Sequence, residues 1–231
     1  MAKAFFVTGT DTDVGKTVIS CGLLAAANAR GLRTAAIKPV AAGCELTPDG
    51  LRNGDALLLQ QAMSLPLGYD EINPVALAPA IAPHIAAEQA GRRLSLQQLA
   101  GLCRGVLMQK ADFTLIEGAG GWRVPLNPRE YLSGLAVELN LPVILVVGMR
   151  LGCINHALLT AEAIARDGLL LAGWVANSCG QSMPYYAENI GAIRERLRAP
   201  CLGEVPLLER PDAAAVGAYL DCAALVGAAN A

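Results

Sequence analysis

The chain has 231 residues, a formal net charge of −2, 54% hydrophobic residues and only 4% aromatics. Its mean hydropathy of +0.41 is high, yet no apolar run approaches the roughly 18–20 residues that a spanning helix needs, and no aromatic belt is available. A near-neutral charge argues against a nucleic-acid partner, which is gripped largely through its phosphates. Neither a membrane nor a nucleic acid is therefore expected as partner.

Taken in order, short apolar runs alternate with longer segments of helical spacing. Phe5–Thr8 reads as a strand and Thr17–Ala29 as a helix ended by Gly31. Thr34–Lys38 is a second strand, stopped by Pro39. The stretch Ala41–Gly91 is irregular and rich in Pro and Gly, and reads as loops and a helix inserted in one domain. Ser95–Lys110 is helical, with apolar residues at 96, 99, 102, 106 and 107. Phe113–Glu117 and Pro142–Val147 are strands, the latter apolar without alternation, as in a strand buried on both faces. Asn155–Arg166 is a helix, Leu170–Asn177 a strand, Tyr185–Leu197 a helix and Cys201–Gly203 a last short strand. This alternation predicts an α/β fold: a mainly parallel sheet with helices on both faces. In such sheets ligands bind beyond the carboxyl ends of the strands.

Seven cysteines occur without any C-x-x-C spacing, so they read as small buried hydrophobes rather than a disulfide framework or zinc knuckle. Two histidines cannot make a His-rich metal site within one chain. The first residues run at once into an apolar strand and a glycine loop, without the longer apolar region of a secretory signal, and the chain is read as cytoplasmic.

The strongest motif is Gly9-Thr10-Asp11-Thr12-Asp13-Val14-Gly15-Lys16-Thr17, between a strand and a helix. Backbone N–H groups of such a loop turn inward, the helix adds its positive end, a lysine meets the β/γ-phosphates and a hydroxyl meets Mg²⁺. Gly9 stands one residue earlier than the usual Gly-x-x-x-x-Gly-Lys-Ser/Thr spacing requires. Magnesium asks for hard oxygens. Glu117, ending an apolar strand before Gly118-Ala119-Gly120-Gly121, fits that need or is a surface charge at a strand end. Asp55 is a second ligand candidate or a helix cap. Lys38, at a strand end, is either an exposed lysine or a second cation for an anionic group beyond the nucleotide.

These residues, with Lys38-Pro39-Val40, Asn53-Gly54-Asp55-Ala56, Leu151–His156 and Gly173–Asn177, resemble the dethiobiotin synthetase family over nearly the full length, its one-residue-longer loop included. The resemblance implies one P-loop domain over residues 1–231. It implies a homodimeric ligase of biotin synthesis that uses ATP as co-substrate and Mg²⁺. Its other substrates would be 7,8-diaminopelargonate and CO₂ (bicarbonate in solution). An amine takes up CO₂ as a carbamate, a carbamate oxygen attacks the γ-phosphate, and the neighbouring amine closes the ureido ring and expels phosphate.

By the same resemblance, Lys38, Lys16 and Thr12 are catalytic, and Thr12 and Lys38 face the diamine and carbamate. ATP is held by Asp13, Val14, Gly15, Lys16, Thr17 and Val18. Asp55 with Glu117, Gly118, Ala119 and Gly120 completes the phosphate end. Asn177, Ser178, Pro206, Leu207 and Leu208 lie at the adenine, with Asp212 nearby. Thr17, Asp55 and Glu117 hold the metal. Gly152, Cys153, Ile154 and Asn155 receive the substrate's carboxylate across the subunit interface. One position departs from the family: Ala42 stands where a serine is common, and nearby Cys44 either compensates weakly for the lost hydroxyl or does nothing.

Three other readings compete. A deviant P-loop ATPase switch of the partitioning or septum-positioning kind needs a lysine where Thr10 stands. A cobyrinate-type amidotransferase needs a fused glutaminase. A structural nucleotide-binding protein leaves Lys38 beside Glu117 unexplained.

Overall fold

A computed structural model describes residues 3–180 and 183–226. Strand β1 (Lys3–Gly9) feeds the glycine loop into helix α1 (Lys16–Ala29), and β2 (Thr34–Ile37) follows. The irregular region then forms β3 (Val40–Ala42), β4 (Glu45–Thr47), β5 (Gly50–Arg52), α2 (Gly54–Ala62), α3 (Tyr69–Ile72), β6 (Val75–Leu77) and α4 (Pro83–Gln89). The α/β alternation resumes with α5 (Leu96–Leu107), β7 (Phe113–Glu117), α6 (Ser133–Glu138), β8 (Val143–Gly148) and α7 (Cys153–Arg166). It ends with β9 (Leu171–Asn177), α8 (Tyr186–Arg196), β10 (Cys201–Val205), α9 (Ala213–Gly217) and α10 (Ala223–Val226).

Six strands form one parallel sheet in the order β10-β9-β8-β1-β7-β2. Its double covering is visible in single strands. Ile144 and Val146 of β8 belong to one apolar cluster, whereas Leu145 and Val147 belong to another with Trp174, Ile190 and Ile193. Each such strand buries both faces, which is why its sequence shows no alternation. No helix of the described residues is long and apolar enough to cross a membrane.

The sequence-based elements stand, with no end moved by more than three residues. Two readings need correction. The region 41–91 is not loops with one helix: β3 pairs parallel with β6, β4 pairs antiparallel with β5, and three helices lie among them. Strands of three residues are too short to carry a period, so composition hid them. Asp55 does not cap α2. Asn53 does, its Oδ1 accepting from Ala56 N at 3.3 Å.

Gly203 in β10 is a packing necessity. A Cβ there would stand 2.2 Å from the carbonyl oxygen of Tyr219, in the backbone segment that bridges to it. Gly203→Ala should destabilise the protein by about 1–3 kcal/mol, as overpacking does. An unchanged urea midpoint would show that the bridge can move aside.

Candidate functional site

The strand order brings three distant segments together. β7 lies between β1 and β2, and Ile37 pairs with Ile116. Lys38 therefore emerges beside Glu117, and both meet the loop that leaves β1. Lys38 Nζ lies 2.7 Å from Glu117 Oε1 and 2.8 Å from Asp55 Oδ2. Thr17 Oγ1 donates to the same Glu117 oxygen at 2.7 Å. Lys16 Nζ curls back onto its own loop and donates to Asp11 O at 3.0 Å. Glu117 is 1% exposed and Lys38 is 5% exposed, so neither is the surface charge that its strand-end position also allowed.

The insertion between β2 and α5 aims Lys38. Its backbone N–H donates to Ile72 O at 2.8 Å, and Asn73 Nδ2 donates to its carbonyl at 2.8 Å. Tyr69 Oη donates to Asn73 Oδ1 and accepts from Asn53 N, which ties the lysine's support to the cap of α2. Asp55, in the first turn of α2, is thereby fixed on the lysine's other side.

The charges reinforce one another. Burial disfavours the Lys38 ammonium, but Glu117 and Asp55 outweigh it and raise the pKa above the ordinary lysine value. Burial likewise disfavours the Asp55 carboxylate, yet Lys38 and Lys16 bring its pKa below the usual value. Lys16 is lowered, first by burial and also by Lys38, with Glu117 acting against both.

A cleft of about 760 Å³ opens over this cluster. Thr12, Asp13, Gly15, Lys16, Thr17, Val18, Lys38, Asp55, Ala119 and Gly120 all line it. Gly15 has φ 84° and the side chain of Asn177 stacked where a Cβ would go, so only glycine fits. Other expected site residues take different places. Val14 is a buried plug whose carbonyl accepts from Asn177 Nδ2 at 2.9 Å. Gly118 packs on Phe6, and Ser178 N donates to Val205 O. Pro206, Leu207 and Leu208 follow β10 on the same sheet edge, and Asp212 caps α9 through Ala215 N. Gly152, Cys153, Ile154 and Asn155 start α7 outside the cleft, next to the fully exposed Leu151. Arg150 of that loop pairs with Asp11 of the glycine loop.

Ala42 lines the cleft, so a serine hydroxyl is indeed missing from its wall. Cys44 does not replace it: its buried Sγ–H donates to Ala41 O at 3.5 Å. The sequence reading missed Arg123 and the Ala80–Pro83 lip. The lip carries no chemically distinctive side chain. Arg123, just beyond the glycine run, was the nearest downstream cation. Its guanidinium grips Asp167 with two hydrogen bonds of 2.6 and 2.8 Å, and Trp122 Nε1 donates to the same carboxylate at 2.8 Å.

A divalent cation fits the donor set. Glu117 Oε2 is buried and has no hydrogen-bond partner among the described residues. Among those residues no group of three or more His, Cys, Asp or Glu side chains is placed to hold a metal ion by itself. Two carboxylates and a hydroxyl suit an ion that keeps water and phosphate oxygens in its shell, as Mg²⁺ does.

Comparison with known proteins bears on this geometry. The family described as "AAA domain" matches residues 3–215. The ATP-dependent dethiobiotin synthetase BioD of Cellvibrio japonicus is 62% identical over 226 residues, covering 98% of this chain and 99% of that protein. The protein of the same name from Pseudomonas aeruginosa strain PAO1 is 63% identical over 218 residues, covering 94% and 96%. Among solved structures, a ParA family ATPase from Chlorobium tepidum TLS superposes with a TM-score of 0.54 at 11% identity, covering 99% of this chain and 95% of that one. The MinC:MinD cell division protein complex of Aquifex aeolicus gives 0.55 at 15% identity, covering 90% and 82%. These distant structures share the fold.

The clamp on Arg123 makes a prediction about pH. Burial opposes the Asp167 carboxylate, but its bonds to Arg123 and Trp122 prevail and its pKa lies below the usual value. Its stabilising contribution is therefore present above the unfolded carboxylate pKa of about 3.9 and is lost as pH falls through the depressed native value. Urea midpoints followed from pH 6 to pH 3 should fall more steeply for the wild type than for Asp167→Asn. Parallel curves would dismiss the clamp.

Proposed function

This chain belongs to the ATP-dependent dethiobiotin synthetase family, and we propose how its own residues divide the work of that reaction. It is a carbon–nitrogen ligase of biotin biosynthesis that forms dethiobiotin with consumption of ATP. The further roles rest above all on Lys38, a buried second lysine held beside Glu117 at the phosphate loop.

In our reading the other substrates are 7,8-diaminopelargonate and CO₂. The triphosphate lies on the loop Asp13–Val18, with Lys16 at its β/γ end and the N-terminus of α1 behind it. Asn177 secures Val14 O and so keeps that loop in shape. Ser178 and Pro206–Leu208, with Asp212 beyond, border the adenine. Thr12 and Lys38 face the diamine across the cleft. Thr17, Asp55 and Glu117 would hold Mg²⁺, which when bound supplies charge neutralisation at the β- and γ-phosphate oxygens.

Three balanced steps follow. The diamine's amine adds to CO₂ and loses a proton, giving a carbamate. A carbamate oxygen bonds to the γ-phosphorus as the bond to ADP breaks. The second amine then attacks the carbamoyl carbon and gives up a proton to the departing phosphate, which closes the ureido ring. Carbamate and triphosphate repel each other, so the protein's task is alignment and positive charge. Lys16 supplies it on the phosphate side and Lys38 on the carbamate side. We read the chain as a cytoplasmic homodimer in which Gly152–Asn155 reaches the partner's site and meets the substrate carboxylate with the start of α7.

Lys38→Ala should lower kcat by roughly 100-fold or more, the scale of a lost transition-state donor, while MgATP binds no more weakly. An equal loss of both would make Lys38 a phosphate ligand only. Lys16→Ala should instead weaken nucleotide affinity about 10–100-fold, as the loss of a charged hydrogen bond does. ADP release that ignores the diamine, or an absence of ureido product, would refute the assignment of substrates.

A further inference from the structure

Lys38 is placed paradoxically for a residue that must meet an anionic carbamate. Its ammonium is already engaged by Glu117 Oε1 at 2.7 Å and Asp55 Oδ2 at 2.8 Å. Two carboxylates around one ammonium leave no positive charge to spare. The same two carboxylates are the ones read above as holders of the divalent cation. The two cations compete for them, because an ammonium at hydrogen-bond distance occupies one oxygen of each carboxylate and repels a dication brought to the same pair. Glu117 Oε2, buried without a partner among the described residues, shows that the ammonium does not exhaust the donor set.

We propose that Lys38 is a placeholder cation: it neutralises Asp55 and Glu117 in the ligand-free enzyme, is displaced when a divalent cation takes those carboxylates, and only then turns its ammonium into the cleft. The inference rests on the metal-site reading above and goes beyond it, since it assigns the lysine two successive positions.

The surroundings permit the change. The Lys38 backbone is pinned by Ile72 and Asn73, so movement is confined to its flexible four-carbon stem. The cleft wall next to it is Ala41 and Ala42, small side chains that leave room and offer no competing acceptor. The charges also balance. Before metal enters, Lys16 and Lys38 face Asp55 and Glu117. Afterwards the dication answers the two carboxylates, and both lysines are free for phosphate and carbamate. The lysine that stabilises the reacting carbamate is thus armed only when the metal is in place.

The test uses Mg²⁺ alone, without nucleotide or diamine, on the full chain, with calorimetric affinity and melting temperature as readouts. Lys38→Met removes the competitor, so it should bind Mg²⁺ at least about tenfold more tightly than the wild type. Without metal it should melt several degrees lower, and Mg²⁺ should raise its Tm by more than it raises the wild type's. Lys38→Arg keeps a cation and should restore the weaker, wild-type-like binding. Mg²⁺ binding by Lys38→Met that is absent or no tighter than wild type overturns the proposal. Glu117→Gln separates the two layers: if it binds Mg²⁺ as the wild type does, the metal-site reading itself fails. A second measurement needs no variant. In protein labelled with ¹⁵N-lysine, the Lys38 Nζ signal should move as Mg²⁺ saturates, and an unchanged signal at saturation overturns the displacement even if Lys38→Met fails to fold.

Discussion

The constraint on which the site depends is the burial of Glu117. A carboxylate at the end of the strand beside β1 loses nearly all its water, a cost of several kcal/mol unless cations and donors surround it. Lys38 and Thr17 share one of its oxygens, and Lys16 stands within electrostatic reach. Each is itself buried, so removing any one exposes the desolvation cost of the others. The cluster behaves as a unit, and Asp55 belongs to it through Lys38 although it is half exposed.

Topology makes this cluster possible without any local sequence signal. Thr17, Lys38 and Glu117 lie far apart in the chain, yet they follow three neighbouring parallel strands, β1, β2 and β7. Parallel strands end on the same edge, so whatever follows them converges. The register of β2 on β7 then decides the outcome. With Ile37 against Ile116, the next residue on each strand is Lys38 on one and Glu117 on the other. A slip of one residue would turn the lysine to the opposite face of the sheet.

Much of this was legible because the strands are strongly apolar and the glycine loop has a fixed chemistry. Phe113–Glu117 stands at the predicted bounds, and the loop residues Thr12 to Val18, apart from the plug Val14, line one cleft. What stayed hidden depends on pairing rather than on period. The three-residue strands between Val40 and Leu77 have no pattern of their own. The Asn53–Tyr69–Asn73 relay that aims Lys38 joins residues whose partners a sequence does not announce. Arg123 enters the cleft wall because Asp167, 44 residues away, holds it there. The excess of apolar residues is explained by strands such as β8, buried residue after residue on both faces.

The fold by itself does not assign the chemistry. ParA and MinD proteins share the architecture with this chain at 11–15% identity, so the architecture alone cannot say whether nucleotide turnover drives a switch or a synthesis. Thr10 occupies the position where the switch reading needs a lysine. Its Oγ1 accepts from Gly148 N at 3.3 Å, and its own N–H donates to Val146 O at 2.9 Å, so the residue clamps the loop to β8. The second cation of this cleft is instead Lys38, which follows β2 and lines the cleft together with Thr12, Ala42 and Gly120. In the proposed reading that lysine serves the carbamate, and its burial beside Glu117 suits a small anion held inside the cleft.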